Sequence, residues 1–106
     1  MNKMRIQWAT EAQDRWRETA LYIRREWGAL ALRKFKEKTE ECQDRLEDFP
    51  ELGKVEPLLE NRNRLYRSLV LGELNNIIYY IENDTIWVVD FWDTRREPKN
   101  QADGLK

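Results

Sequence analysis

Histidine is absent from the 106 residues. That removes the commonest general base near neutral pH and every triad built on an imidazole. Cysteine occurs once, at Cys42, so no internal disulfide can form, and no second thiol or imidazole stands ready to complete a zinc site. Neither a metal nor another cofactor is expected, and a lone thiol suits a reducing compartment. No apolar run approaches the ~20 residues that span a bilayer. The opening Met1-Asn2-Lys3-Met4-Arg5-Ile6 lacks the apolar core of a signal peptide. The expectation is a cytoplasmic protein without a membrane partner. A strong charge of either sign is missing too. The formal charge is −1 although 37% of residues are charged, so any basic site must be local.

What is present fits one domain, residues 1–106. Met4, Ile6 and Trp8 alternate with Arg5 and Gln7, the period of a half-buried strand. Thr10 and Gln13 then form a capping-box pattern that opens a helix. Trp16, Ala20, Ile23 and Trp27 make one apolar stripe, with a stop at Gly28. The stripe restarts through Leu32, Phe35, Thr39, Cys42, Leu46 and Phe49, and Pro50 ends it. Residues 51–63, with Gly53 and Pro57, have no sustained period and read as a loop. Three β-rich runs follow, 64–71, 75–82 and 85–93, separated by Gly72-Glu73 and by the turn pair Asn83-Asp84. The expected fold is α+β in the order β-α-α-β-β-β, with a helical hairpin packed on a mainly antiparallel four-stranded sheet. The later strands are apolar on both faces, so one face covers the helices and the other is free to be concave or to meet a partner.

Candidate site residues come from arginines on and around that sheet: Arg62, Arg64, Arg67, and Arg95 and Arg96 beyond the last strand. Strand parity places Arg67 in a row with Leu65, Leu69 and Leu71. There it must meet an acid such as a glutamate or Asp90, reach solvent at a groove, or bind an anion such as phosphate. Arg95 and Arg96 precede Pro98, where a chain leaving a sheet can aim side chains across its open end, or else are solvated surface charge. Tyr80 shares its parity with Asn76 and Ile78 and either stacks a base or packs in a core. Trp87 and Trp92 read mainly as packing.

The order of elements, together with Phe49-Pro50-Glu51-Leu52-Gly53, Leu65-Tyr66-Arg67-Ser68-Leu69, Ile77-Ile78-Tyr79-Tyr80-Ile81 and Asp93-Thr94-Arg95-Arg96-Glu97-Pro98, resembles the RelE/ParE superfamily of bacterial toxins over nearly the whole chain. The resemblance implies the toxin of a type II toxin-antitoxin module, of the plasmid-stabilisation kind, neutralised by a small cognate antitoxin. RelE-like members are mRNA interferases that cut messages on the ribosome with basic residues on the sheet. By resemblance Arg67 and Arg95 would be catalytic, and Arg64, Asn76, Tyr80 and Arg96 would bind RNA. The pattern departs from that set in three places. Leu69 stands at a second basic position, Asn76 stands where an arginine is expected, and no tyrosine follows Pro98, the nearest residue being Gln101. ParE-like members instead poison DNA gyrase by binding, and a third class binds an antitoxin without toxicity. The expectation leans to ribosome-dependent cleavage, with gyrase inhibition as the alternative.

Overall fold

The computed structural model describes residues 4–57, 64–72 and 75–93. The chain runs β1 (Arg5–Trp8), α1 (Thr10–Asp48), β2 (Lys54–Val55), β3 (Arg67–Gly72), β4 (Asn75–Glu82) and β5 (Thr85–Asp93). The strands form one five-stranded sheet in the order β1-β5-β4-β3-β2. The expected α+β architecture is present with one strand more than anticipated. That strand is β2, which lies inside the expected loop and pairs Lys54 with Ser68 and Val55 with Arg67. Two polar-flanked residues carry no period, so its pairing is fixed by tertiary contact alone.

Helix α1 is two arms joined at Gly28, whose φ of 90° and ψ of −179° break the helical path. No atom stands within 4 Å of a Cβ built at this position, so it is the positive φ that selects glycine. The arms fold back on each other. Trp16 stacks on Phe35 with ring centroids 5.3 Å apart, and the Trp16 indole donates to Thr39 Oγ1 at 2.9 Å. Ala12, Ala20, Ile23, Phe35, Cys42 and Leu46 are buried toward the sheet, following the three-and-four spacing. Two residues of the anticipated stripes escape burial: Trp27 is 56% and Phe49 65% exposed. Trp27 borders the break at Gly28, and Phe49 is the non-helical C-cap residue, where the backbone no longer follows the helical period. Nor does Thr10 cap the helix. Ala9 is the N-cap, without a side-chain cap, and the Gln13 amide donates to Trp8 O instead.

β1 runs parallel to β5, while β5, β4, β3 and β2 are successively antiparallel. The β4–β5 hairpin closes at Asn83, whose φ of 56° suits asparagine. A register shift between Ile78 and Tyr79 leaves Val89 opposite no partner. Two apolar clusters result. The first joins the hairpin to Leu71, Ile77, Tyr79, Ile86, Val88 and Phe91. The second, on the other side of the sheet, comprises Tyr66, Ile78, Tyr80 and Trp92, with Trp87 and Val89 packed against it.

Candidate functional site

The second cluster sits on the face expected to be free, and its side chains are largely withdrawn from solvent. Ile78 is wholly buried, and Tyr66, Tyr80 and Trp92 are each under a tenth exposed. The Arg64 guanidinium lies 4.3 Å from the centroid of the Tyr80 ring, and Tyr66 meets the same ring edge-on at 5.9 Å. A hydrogen bond with Tyr66 pushes the Arg64 pKa further up, so the cation is permanent. Arg64 and Tyr80 are therefore brought together as a cation–π pair. Asn76 shares their face but lies four residues from Tyr80 along β4, opposite Trp92 and half-buried, so the register does not bring it into the pair.

Asp90 belongs to the same face and is only 2% exposed. Its carboxylate accepts from Trp92 Nε1 at 2.6 Å, the Phe91 N–H at 2.8 Å and Arg15 Nη1 at 2.6 Å. Burial raises the Asp90 pKa, opposed by the Trp92 indole and the Arg15 charge. The sequence offered Asp90 as a possible partner for Arg67, and the structure gives it to Arg15 instead. β1 ends its pairing at Trp8 opposite Val88, just before Asp90. A helical arginine meets the far side of β5 where that cover stops.

Arg67 is half-buried on the helix side, opposite Tyr79. It meets no acid. Its Nη1 donates to Gly53 O at 2.8 Å and to Glu51 O at 3.3 Å. The buried Tyr79 hydroxyl grips the same segment: it donates to Pro50 O and accepts from the Gly53 N–H, both at 2.8 Å. A Cβ on Gly53 would lie 2.7 Å from Ser68 O and from the Tyr79 hydroxyl, so only glycine fits. Arg67, Tyr79 and Gly53 thus fix the turn after the helix, on which Phe49 and Leu52 are exposed. Sequence reasoning missed this role for Tyr79, because backbone carbonyls leave no side-chain signature. Arg62, Arg95 and Arg96 lie outside the described residues. Among the described residues no cluster of three or more cysteine, aspartate and glutamate side chains could hold a metal ion, and no helix is long and apolar enough to cross a membrane.

A family model described as the ParE toxin of the type II toxin-antitoxin system parDE matches residues 6–98. A solved structure titled as a chromosomal ParDE toxin-antitoxin system from P. aeruginosa superposes with a TM-score of 0.67 at 15% identity, covering 86% of this chain and 96% of that one. That likeness is one of fold. No curated protein matches the chain.

Proposed function

The chain belongs to the ParE toxin family of type II toxin-antitoxin systems, and from that membership we propose that it poisons DNA gyrase by binding, with a small cognate antitoxin as its neutralising partner. The observation that carries this reading is the state of Arg67. Cleavage of RNA needs pre-organised cations free to meet charge as it develops on a phosphate. Arg67 instead has its Nη1 engaged by the carbonyls of Gly53 and Glu51. Arg64 is spread over the Tyr80 ring, which occupies the face that a base would use. Inhibition by binding asks no chemistry of these residues. It asks for a rigid surface, and the network around Gly53 holds one. On this reading Arg67 is a positioning residue for the Phe49–Gly53 turn.

The test is a supercoiling assay with purified gyrase and toxin. The expected result is loss of supercoiling or accumulation of cleaved DNA, with translation intact at first. Unaffected gyrase at high toxin excess, together with new message 5′ ends inside translated codons, would overturn the proposal in favour of ribosome-dependent cleavage. Arg67 separates the two further. A positioning role predicts that Arg67→Ala lowers stability and inhibition together, with partial recovery in Arg67→Lys. A catalytic role predicts lost cleavage in a fold of unchanged stability.

A further inference from the structure

A net charge of −1 hides a local separation of charge on the second helical arm. Glu40, Asp44 and Glu47 line a groove against β1. Lys34, Lys38 and Arg45 recur at intervals of four and seven, which places them together on the opposite flank. Lys38 shows where that flank faces. A Cβ built on Gly72 would lie 3.8 Å from both its Cδ and its Nζ, so the side chain leans over the end of β3.

All three cations are exposed, and among the described residues none has a carboxylate within ion-pairing distance. Glu41, four residues before Arg45, is spaced for such a pair and does not make it. Like charges four apart work against a helix, so Lys34 and Lys38 carry a cost that a partner of opposite sign would remove. The length of the flank indicates the partner. From Lys34 to Arg45 the helix rises about 16 Å. One strand of duplex DNA presents a charge every ~3.4 Å of its axis, so the flank runs past about five phosphates. No large apolar side chain stands exposed along the helix between the cations: Leu30 and Phe49, 56% and 65% exposed, fall before the first and after the last. A protein partner would be expected to bury such an anchor. A phosphate backbone needs only the charge.

We propose that the flank of Lys34, Lys38 and Arg45 binds the phosphate backbone of duplex DNA without regard to sequence, and so holds the toxin on the DNA that gyrase carries. The second half rests on the gyrase reading, whereas binding to the duplex does not. The basic site is local, which is why the overall charge of the chain conceals it.

The experiment measures binding of the full chain to a labelled duplex of arbitrary sequence as salt is raised. Three phosphate contacts predict a log–log slope of about −3 for the wild type. Lys34→Glu/Lys38→Glu is expected to lower affinity at least about tenfold and the slope by about two. Lys34→Gln/Lys38→Gln is expected to lose the same slope with an unchanged urea midpoint, which separates lost contacts from lost fold. Arg24→Glu/Arg33→Glu makes the same change of net charge at exposed positions off the flank, and is expected to lose no more than about twofold. Absence of binding at low salt, or equal losses in the two glutamate pairs, would overturn the proposal. Loss of binding to DNA-free gyrase in Lys34→Glu/Lys38→Glu, with duplex binding intact, would reassign the flank to an acidic protein surface. In the supercoiling assay that variant is expected to need about tenfold more toxin than the wild type, and equal potency would remove the flank from the poisoned complex. A wild type that binds the duplex and leaves gyrase untouched would sink the gyrase reading while upholding the DNA site.

Discussion

Removing one oxygen at Tyr79 is enough to test the turn after the helix. In Tyr79→Phe the Gly53 N–H and the Pro50 carbonyl lose a partner they meet at 2.8 Å. Such losses cost about 1 to 3 kcal/mol, to be read as a lower urea midpoint at constant slope. Gly53→Ala is expected to be at least as harmful, since its methyl would collide with the Ser68 carbonyl and the Tyr79 hydroxyl. Cys42 offers a check of a different kind. Burial pushes its thiol up to about 11, against a smaller opposing pull from Arg45. The nucleophilic thiolate is therefore scarce at neutral pH. Labelling by a thiol reagent is expected to be slow in the native protein and fast in denaturant; rapid native labelling would contradict that environment. None of these partnerships was legible in the sequence. Arg67 stood out as an arginine in an apolar row, but its acceptors are main-chain oxygens, which every residue possesses.

Among the elements, those with a strong period were readable and those fixed by contact were not. β4 and β5 fall where their alternating apolar residues and the Asn83-Asp84 turn place them. The two helical arms follow from the spacing of buried residues and from Gly28 and Pro50. β3 starts at Arg67 rather than Arg64, and β2 was invisible. β2 depends on its pairing with β3, extended by the Glu56 N–H bonding to Tyr66 O at 3.0 Å. The break at Gly28 makes an element-scale prediction. Alanine there must adopt a φ of 90°, so Gly28→Ala is expected to cost about 1 kcal/mol or more. If it instead stabilised the protein, the two arms would have to be one continuous helix.

At the scale of the whole molecule, pH acts through Asp90. Its pKa is raised in the folded state by burial, so between the ordinary aspartate value of about 4 and that raised value the native chain holds more proton than the unfolded one. The contribution is present at low pH and is lost as pH rises through the folded value. Comparing urea unfolding of the wild type and Asp90→Asn across this range isolates the group from the other carboxylates. The wild type is expected to lose stability relative to the variant as pH rises, and a relative gain would contradict the assignment. The family and the fold were legible because they live in the order of elements. The target was not, because it lives in surfaces that arise only when distant segments meet.

The neighbour of β1 in the sheet is β5, with Arg5 set against Thr85 and Trp8 against Val88. The first described strand of the chain therefore waits for the last. While the ribosome is still making the middle of the protein, the helical arms have no Ile86, Val88 or Phe91 to close over. A message broken anywhere upstream of β5 yields a polypeptide with an uncovered apolar hairpin and an orphan N-terminal strand. Closure of the core in such a design is all or nothing: a chain cut before β5 is expected to be cleaved readily by protease, and only one that includes β5 can complete the sheet.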